Sequence, residues 1–160
     1  MKIAILTLPL HTNYGGILQC YALQTVLERM GHDVKVLTKL QYGPSYYWIC
    51  PLAICKRLIK RYILGEDIDI LRAPHELIRK NTDRFISHYI YKYKFRKWTP
   101  DIAKKFDAIV VGSDQIWRPE YFQPIECAFL SFLGISKVRR ISYAASFGVD
   151  SCEYTEEQLN

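Results

Sequence analysis

Paired cysteine chemistry is the first thing this chain lacks. Its five cysteines, Cys20, Cys50, Cys55, Cys127 and Cys152, are odd in number and scattered, with no C-x-x-C among them. That spacing argues against a disulfide framework and a zinc site alike, so buried free thiols and no metal are expected. No apolar run approaches the ~20 residues of a transmembrane helix, and the amino terminus carries one lysine and then a strand pattern instead of a leader with a cleavage site. The chain is therefore expected in the cytosol. Acidic residues are the scarcer charge, 16 against 22 basic, for a net charge of +6. So moderate an excess suits an anionic substrate or a lipid surface without establishing nucleic-acid binding. No RNP-like or helix-turn-helix pattern is present, and no nucleic-acid partner is expected. A G-x-G-x-x-G run is missing as well, which argues against a nicotinamide-binding domain.

What is present is globular: 160 residues, 49% hydrophobic and 24% charged, enough for one domain with a real core. The organising stretch is Ile3 to Gly31. Ile3-Ala4-Ile5-Leu6 reads as a strand covered on both faces, and Pro9 stops it. His11-Thr12-Asn13-Tyr14-Gly15-Gly16 reads as a polar loop in which two glycines permit close approach by a ligand. From Ile17 the period becomes helical: Ile17, Leu18, Tyr21, Ala22, Leu23, Val26, Leu27 and Met30 are expected to form the apolar face. Gly31 closes the helix, and Val34 to Leu37 is a second strand. This βαβ unit predicts parallel strands, with the glycine loop at the corner where such folds bind ligands and where free N–H groups favour anions.

Further along, residues 42–64 hold aromatics, two prolines and a basic amphipathic helix, read either as a helix on an anionic membrane surface through 52–64 or as an ordinary surface helix. Pro74–Tyr89 is expected to be a helix burying Leu77, Ile78, Phe85, Ile86 and Tyr89. The alternating Tyr91–Trp98 segment reads as an edge strand with its basic side chains in water. Phe106–Val111 is a third apolar strand, ending at Gly112-Ser113-Asp114-Gln115-Ile116-Trp117-Arg118-Pro119. Residues 126–133 read as a short helix or an irregular segment. Arg139–Ala145 is a fourth strand, ending at Ser146-Phe147-Gly148. Parallel order would bring the tips after Leu8, Val111 and Ala145 to one rim. Thr155-Glu156-Glu157-Gln158 has capping-box spacing. Residues 1–150 are thus expected to form a Rossmann-like domain with an insertion-like region at 42–100, and 151–160 to begin a helix leading to a second domain.

At LTLPLHTNYGGILQCYALQTVLERMGH, FDAIVVGSDQIWRPEYF and RRISYAASFG the sequence resembles the amino-terminal half of the polysaccharide pyruvyl transferase family. Residues 42–100 carry no signature of it. The resemblance implies an α/β fold in which a Rossmann-like parallel sheet with flanking helices makes up one half of a two-domain GT-B-like architecture. It also implies transfer of pyruvyl from phosphoenolpyruvate, as co-substrate and without another cofactor, to a sugar of a polysaccharide or lipid-linked precursor.

Such chemistry needs a general acid, a general base and an anion cradle. Asp114 is the best carboxylate, as base or as acceptor from a sugar hydroxyl, or simply as a loop cap; His11 is a candidate acid. Asn13, Tyr14, Gly15 and Gly16 would cradle phosphate or hold the acceptor. Gln19 and Gln115 would hydrogen-bond sugar, Trp117 would stack on a ring or anchor packing, and Ser146 and Gly148 would bind phosphate, with Gly112, Ser113 and Phe147 completing the loops. Arg118 is the only arginine in these loops. The family's phosphate-binding arginine and catalytic histidine are therefore expected in a carboxyl-terminal half, and this chain alone is expected to be inactive. The competing expectations are the acceptor-binding half of a nucleotide-sugar glycosyltransferase and a non-catalytic sugar-binding module.

Overall fold

The computed structural model describes residues 1–40, 55, 58, 59, 62–64 and 75–159, without the side chains of 75–78. The rest of the 42–64 stretch, including most of the amphipathic helix at 52–64, lies outside the described residues, as do Leu77 and Ile78 as buried positions. Residues 1–40 with 81–160 form one compact unit and residues 41–80 another; the sheet and the site belong to the first.

Five strands form one sheet: β1 (Lys2–Leu6), β2 (Asp33–Lys39), β3 (Lys92–Phe95), β4 (Ala108–Val111) and β5 (Arg139–Ser142), in the order β3-β2-β1-β4-β5. Every neighbouring pair is parallel. The fold is an α/β Rossmann-like one, as the apolar runs predict. The basic-aromatic segment supplies the β3 edge, where alternate side chains can face water.

Alternation along the strands divides the core. Ile3 and Ile5 of β1, Val34 and Val36 of β2 and Ala108 and Val110 of β4 pack on one face with Ile17 and Cys20 of helix α1 (Tyr14–Arg29) and Ile86 of helix α2 (His75–Tyr89). Ala4, Leu6, Leu37, Ile109 and Val111 face the other way, onto Ile102, Phe122, Ile125 and Phe132 from 3₁₀ turns and loops. Each fully buried branched side chain contributes about 1.5–3 kcal/mol, so the continuous apolar runs are what a sheet covered on both faces requires.

Two details of the helices differ from the sequence reading. Helix α1 begins at Tyr14, so Gly15 and Gly16 belong to its first turn, and Asn13 caps it by accepting the Gly16 N–H at 3.2 Å. Its buried residues are Ile17, Cys20 and Gln24, whereas Leu18, Val26 and Met30 are more than half exposed. Gln24 is buried because its amide bridges two backbone groups: Nε2 donates to the Tyr89 carbonyl and Oε1 accepts the Tyr91 N–H, both at 3.0 Å. That pair ties α1 to the junction between α2 and β3, and Tyr89 itself is 44% exposed.

Near the end of the chain, the Thr155 N–H donates to Gln158 Oε1 at 3.0 Å, the reaching-back half of a capping box, at the start of the short helix α3 (Glu156–Leu159). The segment read as short helix or irregular is two 3₁₀ turns, Ile125–Phe129 and Ser131–Leu133.

Candidate functional site

The chain leaves β1 to build β2 and β3 on one side of it, then crosses to build β4 and β5 on the other. The point of reversal lies between β1 and β4, and in open parallel sheets ligands occupy the crevice at the carboxyl ends of the strands flanking such a point. The residues there come from the loops after β1, β4 and β5.

The β1 side is held locally. The Thr12 N–H donates to His11 Nδ1 at 2.7 Å, and the Thr12 hydroxyl lies 2.8 Å from the same atom. Nδ1 is therefore an acceptor, and in the neutral ring the proton sits on Nε2. Asn13 spends its side-chain oxygen on the helix cap, while Tyr14 is 63% exposed on the first turn.

The β4 side is constrained by backbone. Gly112 adopts φ +135, and a Cβ there would fall on the Tyr143 carbonyl oxygen. Asp114 has φ +71 and Ala144 φ +49, both uncommon for residues with a side chain. The two bond each other, the Asp114 N–H donating to the Ala144 carbonyl at 3.0 Å, and the Ser146 N–H donates back to the Asp114 carbonyl at 2.9 Å. Parallel pairing of β4 with β5 thus resumes at Asp114 and Ala145 beyond the strands proper. Backbone held in sparsely populated regions costs of order 1–3 kcal/mol per residue and gathers where geometry serves a ligand.

One side-chain bond crosses the reversal point: the Ser113 hydroxyl donates to Gln19 Oε1, on the second turn of α1, at 3.0 Å. Gln115 lies against Gly148, where a Cβ would collide with the amide. Trp117 stacks near Phe129 with centroids 5.5 Å apart and tilts toward Phe147 at 5.5 Å. Phe129, Phe147 and Tyr154 wall a cavity of about 480 Å³ beside this rim, with Arg118 and Glu153 at its polar side. The rim can therefore offer a carboxylate, two amides, a hydroxyl and an aromatic wall.

The family model for polysaccharide pyruvyl transferase matches residues 13–159. This chain belongs to that family. No curated protein and no solved structure matches it.

Within this pyruvyl transferase chain, the rim brings together Gln19, Gly112, Ser113, Asp114, Gln115, Ser146 and Gly148 by the contacts above. Trp117 and Phe147 sit one step away in the aromatic group. Asn13, Gly15 and Gly16 form the start of α1, and His11 is anchored to Thr12. Arg118 is committed to the protein. Its Nε and one terminal nitrogen hold both oxygens of Glu153 at 2.8 Å. The same nitrogen meets Glu120 at 2.9 Å, the other donates to Gln115 Oε1 and the Tyr121 hydroxyl at 3.2 Å, and the guanidinium lies 4.7 Å from the Tyr121 ring centre. The hydrogen bond to Arg118 holds the Glu153 carboxyl below its ordinary range and raises the guanidinium in turn.

Glu153 and Tyr154, whose hydroxyl donates to the Trp117 carbonyl, were missed in the sequence. Arg118 and Glu153 are 35 residues apart, and no periodicity pairs residues at that distance. Burial pushes the Cys20 thiol up to about 12 and, as the largest of its causes, Cys127 up to about 11, so these two are poor nucleophiles, whereas Cys55 and Cys152 are exposed and not buried as expected.

Proposed function

We propose that the protein transfers the pyruvyl group of phosphoenolpyruvate to a pair of sugar hydroxyls, forming a ketal on a surface polysaccharide or its lipid-linked precursor at the cytoplasmic side of the membrane. The observation that supports this reading is the convergence of the β1, β4 and β5 tips on one rim in a chain of this family. In the reaction one hydroxyl adds to the phosphate-bearing carbon as a proton goes to the methylene carbon. The second hydroxyl then displaces phosphate; of the two hydroxyl protons released, one is balanced by the proton gained at the methyl carbon and the other leaves with phosphate. Asp114 is the proposed base, removing a hydroxyl proton at the strained β4 tip, and His11 the proposed acid. Phosphate would be held mainly by a second, carboxyl-terminal half, because Arg118 is already neutralised.

Two measurements test this. Phosphoenolpyruvate is expected to raise the melting temperature of the complete enzyme while nucleotide sugars do not; the reverse result would make it a glycosyltransferase. Asp114→Asn should lower pyruvyl transfer by about 10²–10⁴-fold with unchanged melting. Full turnover in that variant would remove Asp114 from the chemistry.

A further inference from the structure

One side-chain amide at the rim has a fixed polarity. A guanidinium offers donors only, so the Gln115 atom that Arg118 meets at 3.2 Å is the carbonyl oxygen, and the NH₂ group is the end left over. Gln19 Oε1 meets the Ser113 hydroxyl, a group that can donate or accept and so does not fix that amide. Neither amide nitrogen has a protein partner among the described residues. Asp114, between Ser113 and Gln115 in the sequence, adds a carboxylate, which only accepts.

The charge balance points the same way. Arg118 faces two carboxylates, Glu153 and Glu120, and Asp114 adds a third to the loop. A rim with more negative than positive charge repels phosphoenolpyruvate, which carries both a carboxylate and a phosphate. A hydroxyl matches both kinds of group at once, because it donates its proton to a carboxylate and accepts from an N–H. Gly148, with φ +73 and no room for a Cβ, lets the flat Gln115 amide lie against the β5 tip.

We propose that Gln115, held as a donor by Arg118, is a specificity-determining residue that reads a sugar hydroxyl together with Asp114. Arg118 and Glu153 act as its positioning pair, and this chain supplies the acceptor side of the reaction. The inference rests on reading the rim as a pyruvyl-transfer site.

The test uses Gln115→Glu, which keeps the contact with Arg118 but replaces the NH₂ donor by a second carboxylate oxygen. The side-chain NH₂ signals of Gln115, identified as the pair lost in that variant, are followed by NMR. The protein is titrated with a panel of methyl hexopyranosides and, separately, with phosphoenolpyruvate. The signals are expected to move with at least one glycoside and not with phosphoenolpyruvate. Movement with phosphoenolpyruvate alone, or with neither, overturns the proposal.

In turnover, Gln115→Glu should raise KM for the acceptor about tenfold or more, the worth of one lost hydrogen bond beside a charge, and leave KM for phosphoenolpyruvate unchanged. Arg118→Met should show the same split more weakly, with partial rescue in Arg118→Lys, whereas a merely structural role would shift both KM values and the melting temperature together. If the wild-type protein transfers pyruvyl to no glycoside, the functional reading fails, and the titration still decides whether Gln115 reads hydroxyls.

Discussion

The two ends of the one sheet are built differently. At the amino-terminal end the connections are relaxed: the Lys2 N–H donates to the Asp107 carboxylate at 2.7 Å, the Asp33 N–H to the Met1 carbonyl at 2.9 Å and the Arg139 N–H to the Asp107 carbonyl at 3.1 Å. The positive φ values described there fall on Gly31 and Gly134, the residue type that adopts such a conformation at least cost. At the carboxyl-terminal end, Asp114 and Ala144 hold positive φ and are fastened to each other, and Gly112 touches the neighbouring backbone.

Size alone would favour the other end, since a hollow of about 930 Å³ lies at the amino side against about 480 Å³ beside the rim. The larger hollow is lined by Met1, Phe106, Ile135 and Arg139, without strain and away from the reversal in strand order. Strain costs stability, and a fold keeps it where geometry serves a ligand.

The comparison can be broken most sharply with one methyl group. Gly112→Ala should destabilise the protein by more than about 3 kcal/mol, or prevent folding, because both its φ and its neighbour forbid a Cβ. Gly31→Ala, with φ +84 and open space around it, should cost only about 1–2 kcal/mol. Equal losses in urea unfolding would erase the distinction between the ends.

Gln24→Leu, which orphans the Tyr89 carbonyl and the Tyr91 N–H near the amino end of β3, should cost about 2–4 kcal/mol in the same experiment; a neutral result would show that the bridge is incidental.

Acid should loosen the rim. The Glu153 carboxyl lies below its ordinary 4.5 because Arg118 bonds the charged form. Its contribution is therefore complete above 4.5 and is lost as the pH falls through the lower folded value. Hydrogen exchange at residues 149–154 should speed up in that range and not in Glu153→Gln.

The smallest effect belongs to Asp101→Asn at the amino end. It breaks a 2.6 Å pair with Lys104 whose side chains are 73% and 76% exposed, so it should leave the melting temperature unchanged within error.

Much of this was legible in the residues. Ile3–Leu6 and Ala108–Val111 are short continuous apolar runs rich in β-branched residues, the pattern of a strand covered on both faces. Parallel order followed from the helix between β1 and β2, and with it the meeting of three loops at one rim. The buried face of α1 was not legible. Leu18, Val26 and Met30 are as apolar as Ile17, and nothing local distinguishes a helix side turned to the sheet from one turned to water. Gln24 reads as a surface residue until the end of α2 and the start of β3 arrive to bond its amide. That Arg118 is held by Glu153 was not legible, because the two lie 35 residues apart.

By itself, the sequence determined which segments become strands, that they run parallel, and that the polar tips after Leu8, Val111 and Ala145 share an end, because hydrophobic period and chain connectivity are local properties. Only the tertiary structure decided which helix face is buried, which carboxylates neutralise Arg118 and which end of the Gln115 amide is left for a ligand. The Gln24 bridge and the Arg118–Glu153 pair join residues tens of positions apart, the Gln115–Arg118 and Glu120–Arg118 contacts join near neighbours in a loop without helical period, and a hydrogen bond's direction is set by whichever partner arrives.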